Sequence, residues 1–239
     1  MGISHHPLTE IRLFVTADHP CGYLPGRTAR NLVADPQTID QGAYNQLARV
    51  GFRRSGDHVY RPHCPGCRAC LSLRIAAWAF VPNRSQRRIL KANADVAVKP
   101  EEPLFRADHY RLFERYLKAR HRHGGMDDTS PHSYLSFINA RWSSTALYEF
   151  RTPERLLAVA VTDHFDDGLS AVYTFFEPDT QRRSLGSYAI LWQIQEARRR
   201  GLPWVYLGYW IRQCEKMNYK ANYRPCEIFD GQRWRRLEA

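Results

Sequence analysis

The most chemically pointed stretch of the chain is His63-Cys64-Pro65-Gly66-Cys67-Arg68-Ala69-Cys70. Cysteines at i, i+3 and i+6 with Pro and Gly between them let a tight loop turn three thiolates toward one point, as zinc knuckles and iron–sulfur loops both require. A fourth ligand has to come from elsewhere, and Cys21 and the adjacent His63 are the candidates. The other reading of the loop is three reduced thiols packed around a turn. In either case Arg61, Arg68 and Arg74, close by in sequence, are expected to lower the thiol pKa values. Cys214 and Cys226 stand alone, without a neighbouring His or acid arranged as a nucleophile's partner, and read as packing residues. His121 and His123, two apart at a helix end, point to different faces and are not a chelating pair.

A second signal is charge. The 239 residues carry 35 Lys and Arg against 24 Asp and Glu, a net charge of +11. Between Arg53 and Lys91 nine basic residues face the single acid Asp57, with Tyr60, Trp78 and Phe80 among them. Such a patch points to a polyanionic partner, nucleic acid ahead of membrane lipid, because no strongly amphipathic basic helix accompanies it. Lys216, Tyr219, Lys220 and Tyr223 recur at helical spacing and read as a second cationic, aromatic face.

These groups need a scaffold, and 44% hydrophobic and 13% aromatic residues are enough to bury a core, which excludes disorder as the main reading. Charge-free stretches fall short of the roughly 18 to 20 apolar residues that cross a bilayer, and the N-terminus lacks a secretory signal, so a cytoplasmic, non-membrane protein is expected. Asp40 is placed to cap a helix over 41–50, and residues 52–54 and 58–60 flank Ser55-Gly56-Asp57 as a hairpin. Residues 71–75 alternate as a half-buried strand, and 85–93 read as a short basic helix. Pro100 and Pro103, around two acids, mark a junction, which divides the chain into 1–100 and 101–239. Beyond it the pattern predicts a helix over 104–123 closed by Gly124-Gly125, a helix with Ser130 as cap and Pro131 first, and strands over 145–150, 156–162 and 169–176. A helix over 185–200 and a strand over 204–209 complete an α+β arrangement.

Cys21-Gly22-Tyr23-Leu24-Pro25-Gly26-Arg27, Val59-Tyr60-Arg61-Pro62, and Tyr206-Leu207-Gly208-Tyr209-Trp210-Ile211 followed by Cys214-Glu215-Lys216-Met217-Asn218-Tyr219-Lys220 strongly resemble the aminoacyl-tRNA–protein transferases. Arginyl-transferring members carry Cys-Gly-Tyr-Cys. Here the fourth position is Leu24, and three cysteines are spread through Cys64, Cys67 and Cys70, which resembles the bacterial leucyl-transferring branch. The resemblance implies an N-terminal cysteine-bearing domain, a C-terminal acetyltransferase-like (GNAT-like) domain, and transfer of leucine from charged tRNA to a protein's N-terminal Asp or Glu, marking it for degradation. Transfer of arginine, a coenzyme A-dependent acetyltransferase and a non-catalytic RNA-binding protein are the competing readings.

That reaction is aminolysis of an ester. It requires no cofactor and no covalent intermediate, although the cysteines offer a place for zinc or an iron–sulfur cluster. Fixing amine against ester can remove roughly 7–11 kcal/mol of barrier, against about 10²–10⁴-fold for a general base, so binding groups matter more than a catalytic triad, and none is visible. In a GNAT-like sheet the cleft opens where the strand over 169–176 leaves that over 204–209. Tyr173, Tyr206 and Tyr209, with Arg182, Arg183, Lys216, Tyr219 and Lys220, are then the candidates for holding aminoacyl-tRNA. The acceptor's carboxylate calls for an arginine fork, and Arg61 leads Arg27, Arg30 and Arg74 because Tyr60 and Pro62 flank it.

Overall fold

The computed structural model describes residues 11–120 and 130–238. Four short strands open the chain: β1 (Leu13–Val15), β2 (His19–Pro20), β3 (Thr28–Ala29) and β4 (Asn31–Ala34). Asp40 then caps α1 (Gln41–Arg49) as expected, its carboxylate accepting from the Ala43 N–H at 2.7 Å. The hairpin follows as β5 (Arg53–Ser55) and β6 (His58–Pro62), with Ser55 opposite His58 and Gly56 at φ +56° in its turn. These strands form a four-stranded sheet in the order β1-β4-β6-β5, on which α1 buries Tyr44, Leu47 and Ala48 against Phe52 and Val59.

The next strand, β7 (Leu71–Ala76), leaves this sheet for a larger one. After it α2 (Arg84–Ala92) starts one residue earlier than expected, because Asn83 and Gln86 form a reciprocal capping box. The interval expected as a junction overlaps β8 (Ala97–Glu101), in which Pro100 is tolerated because β8 is an edge strand paired only with its successor in the sheet. Then come α3 (Ala107–Arg120), α4 (Pro131–Ile138), and the meander β9 (Thr145–Arg151), β10 (Leu156–His164) and β11 (Gly168–Phe176). Helix α3 begins three residues later than expected, since the Arg106 carbonyl accepts the first helical bond, from Tyr110. Its expected end, with His121, His123 and the glycine pair, lies outside the described residues. The chain closes with α5 (Leu185–Arg199), β12 (Trp204–Trp210), α6 (Glu215–Asn218), β13 (Cys226–Phe229) and β14 (Trp234–Arg236).

The larger sheet runs β14-β13-β7-β12-β11-β10-β9-β8, so strands from both sides of the 99–103 segment share it. Alternation along β10 fixes its two faces: Val159 and Val161 pack toward α3 and α4, while Ala158 and Ala160 pack toward α5. The other end of α5 buries Ile190, Leu191 and Ile194 on Leu73, Ile75 and Val205. No helix among the described residues is long and apolar enough to cross a membrane.

Candidate functional site

The sheet is interrupted at one place. Strands β11 and β12 run parallel and pair only from Gly168–Ser170 to Trp204–Tyr206, after which β11 continues beside β10 and β12 beside β7. The register of β12 against β7 shifts between Tyr206 and Gly208, where Gly208 adopts φ +70°. Arg53 reaches this opening from β5. Its Nη2 donates to the Val172 carbonyl on β11 at 3.0 Å, and its Nη1 lies where a side chain on Gly208 would have to be. Burial opposes the charge of Arg53, but the phenols of Tyr60, Tyr209 and Tyr23 favour it, so the guanidinium stays cationic.

Lys220 is the second cation here. It is 6% exposed, and its Nζ donates to the Tyr209 carbonyl at 2.7 Å, on the part of β12 that has left β11. Burial, and then the charge of Arg53, bring its ammonium down to about 7. The sequence reading put Lys220 on an outward face with Lys216, Tyr219 and Tyr223. That face does not form, because α6 ends at Asn218 and a tighter 3₁₀ turn over Tyr219–Asn222 follows. Lys216 and Tyr219 remain outward, while Lys220 turns in and Tyr223 stacks against Phe80.

The expected tyrosines are largely structural in their contacts. The Tyr206 hydroxyl donates to Asp167 at 3.0 Å, and that of Tyr209 to the Tyr60 carbonyl at 2.8 Å. Tyr173 packs edge-on against Tyr116 and Phe137. Of the two arginines before α5, Arg183 pairs with both oxygens of Asp95 at 2.8 Å and Arg182 is exposed.

Among the four arginines expected to hold a carboxylate, three are engaged. Arg30 pairs with Asp18, and Arg61 donates to the Val50 carbonyl at 2.8 Å and lies over Phe52. Arg74 bonds Glu227 through Nε and Nη2 and is sandwiched by Trp204 and Trp234. Arg27 is exposed and lines, with Leu24, Cys67, Arg68 and Gln213, an open cleft of about 450 Å³. Arg53 was missed by the sequence reading. Its only distinguishing signal there is its place in the basic run, one residue before Arg54.

The cysteines do gather. Cys70 feels Cys64, Cys21 and Cys67, and burial followed by these neighbouring thiols pushes it up to about 12. The expected lowering by arginine is therefore absent at Cys70. Arg74 is drawn away to Glu227, and Arg68 points at the Cys64 and Cys67 carbonyls. Cys64 Sγ lies 3.6 Å from the Arg30 carbonyl, and Cys21 Sγ accepts from the Leu24 N–H at 3.4 Å. Among the described residues, however, the one group that brings three ligand atoms within 4.8 Å of one another is Asp108, His109 and Glu149. Arg151 already bridges Asp108 and Glu149 there, and His109 Nε2 bonds Glu149, so a guanidinium holds the place a metal ion would take.

Helix α2 buries Gln86 and its C-cap Asn93, with Ile89 and Leu90 packed on α5, and turns Arg84, Arg87, Arg88 and Lys91 outward; Trp78, earlier in the chain, is 70% exposed. It is thus a two-faced basic helix, which the sequence reading did not anticipate, but its apolar face is used within the fold.

Fold and site together define a mixed α/β protein with a cationic opening in its sheet and a basic, aromatic outer surface. Residues 19–88 match the family described as "Arginine-tRNA-protein transferase, N terminus", and residues 108–230 its "C terminus". The chain belongs to this family of aminoacyl-tRNA–protein transferases. It is 52% identical to the "Aspartate/glutamate leucyltransferase" of Pseudomonas savastanoi pv. phaseolicola over 95% of this chain and 97% of that one, and 51% identical over the same shares to the protein of that name in Pseudomonas paraeruginosa. Among solved structures, "The structure of L-PGS from Bacillus licheniformis" overlaps 61% of this chain and 48% of that one at 11% identity and TM-score 0.46, too loosely to define the fold.

Proposed function

We propose that the protein transfers leucine from leucyl-tRNA to the N-terminal α-amine of proteins beginning with Asp or Glu, marking them for N-degron degradation. The observation that carries this reading is identity of 51–52%, over 95% of the chain, to proteins of that named activity. In the reaction the acceptor amine attacks the ester carbonyl of leucyl-tRNA, the C–O bond to the terminal ribose breaks, and the amine's proton ends on the ribose oxygen. The amine, with a reference pKa of about 7.7–8.0, must be neutral to attack. Lys220, near 7, is the group suited to take up its proton, and the opening between β11 and β12 is the place for the ester.

The C-terminal part, 101–239, is read as a GNAT-like transfer domain, on the support of an antiparallel meander followed by α5 and a parallel strand that parts from it. The N-terminal part, 1–100, is read as the cysteine-bearing domain with the basic surface, and the family's two segments leave 89–107 between them. Arg182, Lys216 and Tyr219 are proposed with α2 to contact tRNA, and Arg27 to border the acceptor's path. Cytoplasm is the compartment this reading requires.

Incubation with labelled leucyl-tRNA and a peptide beginning with Asp tests the function, with arginyl-tRNA and a peptide beginning with Ala as controls. Label from leucyl-tRNA is expected on the Asp peptide only. Label from arginyl-tRNA alone would reassign the donor, and no transfer at all would reject the reading.

Two predictions follow from the surfaces. Affinity for leucyl-tRNA is expected to fall steeply with salt, and replacing Arg84, Arg87 and Arg88 by Gln together should lower the log–log slope by roughly 2–3. An unchanged slope would show that these charges are merely solvated. The cysteines are not drawn into a ligand sphere, so no step runs through a metal. Chelator is expected to leave melting temperature and transfer unchanged, whereas a structural zinc, worth about 10 kcal/mol or more, would make the N-terminal part unfold when stripped.

A further inference from the structure

We infer that Arg53 reads the acceptor, by receiving the side-chain carboxylate of its N-terminal Asp or Glu where β11 and β12 part; this rests on the leucyl-transfer reading. Side chains alternate along β5. Arg54 therefore points the other way and is fully engaged, both its Nε and Nη2 on Asp163 at 2.6 and 2.8 Å. Three other half-buried arginines have acids, Arg74 Glu227, Arg183 Asp95 and Arg151 Glu149, whereas Arg61 rests on the Val50 carbonyl and the Phe52 ring. Arg53 has none among the described residues, and the Val172 carbonyl is its one hydrogen-bond acceptor. A half-buried guanidinium with donors unspent is a strong site for a planar anion, because a carboxylate can take two parallel N–H bonds.

The surroundings favour that occupant. Lys220, whose ammonium feels the charge of Arg53, likewise has no acidic partner among the described residues, its Nζ donating to the Tyr209 carbonyl. The tyrosines near Arg53 are Tyr60, Tyr209 and Tyr23, of which Tyr209 is buried and Tyr23 exposed. Gly208, at φ +70°, leaves room for the guanidinium against β12, where any side chain would displace it. Arg53 is only half-buried, which leaves a short carboxylate side chain an approach to it. The phosphates of a nucleic acid are better met by the exposed arginines of α2.

The test uses the full chain. Transfer efficiency, kcat/KM at saturating leucyl-tRNA, is measured with peptides differing only in Asp or Asn at the N-terminus, in the wild type, Arg53→Gln and Arg53→Lys. The Asp-over-Asn preference is expected to fall about 100-fold in Arg53→Gln and to recover in part in Arg53→Lys, with leucyl-tRNA affinity unchanged. Equal slowing of both peptides with the preference kept overturns the inference and makes Arg53 structural. Lost leucyl-tRNA affinity with the preference kept overturns it and assigns Arg53 to phosphate. Should Arg53→Gln fail to fold, phenylglyoxal labelling of Arg53 in the wild type decides: protection by the Asp peptide and not the Asn peptide supports the inference, and equal labelling overturns it. A wild type that transfers leucine to neither peptide would instead refute the leucyl-transfer reading itself, a result separate from any of these.

Discussion

Asp163→Asn is expected to cost about 3–5 kcal/mol of stability. Arg54 and Asp163 are both fully buried, and they join the hairpin of the N-terminal part to the end of β10. Asp163 also accepts from the Tyr44 hydroxyl at 3.0 Å and the Thr145 hydroxyl at 2.7 Å, while Arg54 reaches the Phe137 carbonyl. Without the carboxylate charge, a guanidinium is left in the interior with only neutral acceptors. Against a usual total of roughly 5–15 kcal/mol, that loss leaves little margin. Urea unfolding should show a lower midpoint at unchanged slope. Replacing both partners, as Arg54→Met with Asp163→Leu, should recover part of the loss, because no charge is then stranded, but not all of it, since Tyr44 and Thr145 lose their acceptor. A shift worth less than about 1 kcal/mol in Asp163→Asn would mean that water already reaches the pair.

That pair illustrates what the sequence could and could not reveal. The run 156–162 is apolar enough to be read as a strand, and the strand forms and extends to His164, buried along nearly its whole length. Helix α5 announces itself by periodicity and by Gly201 at its end, and both boundaries fall within a residue of expectation. By contrast, β8 contains Pro100 and little apolar character, and it exists because β9 offers it an unpaired edge. The site suffered most from this dependence on tertiary context. Nine basic residues in one stretch give no sign of which find an acid: Arg54 does so across more than a hundred residues, and Arg53 does not. Helical spacing grouped Lys220 with Lys216, and a change to 3₁₀ geometry sent it inward.

The second large effect is expected at Lys220. Arginine there keeps a positive charge and a donor for the Tyr209 carbonyl, but it cannot give up its proton near neutral pH. If Lys220 takes the proton of the attacking amine, Lys220→Arg should slow single-turnover transfer by about 10²–10⁴-fold while leucyl-tRNA binding is kept. The charged and titrating neighbours that set its proton affinity are Arg53 on β5, which lowers it, and the Cys214 thiol ahead of α6, which raises it. The acceptor amine also titrates in this range, so the informative quantity is the ratio of wild-type to Lys220→Arg rates. That ratio cancels the amine and should fall tenfold per unit as pH drops below about 7, where Lys220 becomes charged. Stability supplies a second readout of opposite origin. Because burial lowers this ammonium from 10.5 to about 7, the unfolded chain holds a proton that the folded chain lacks throughout that interval. The wild type should therefore gain about 1.4 kcal/mol per pH unit from pH 7 upward relative to Lys220→Met, whose side chain cannot titrate. A parallel stability curve would place Lys220 in contact with water. A Lys220→Arg rate within threefold of the wild type would reduce Lys220 to a tether between the 3₁₀ turn and β12.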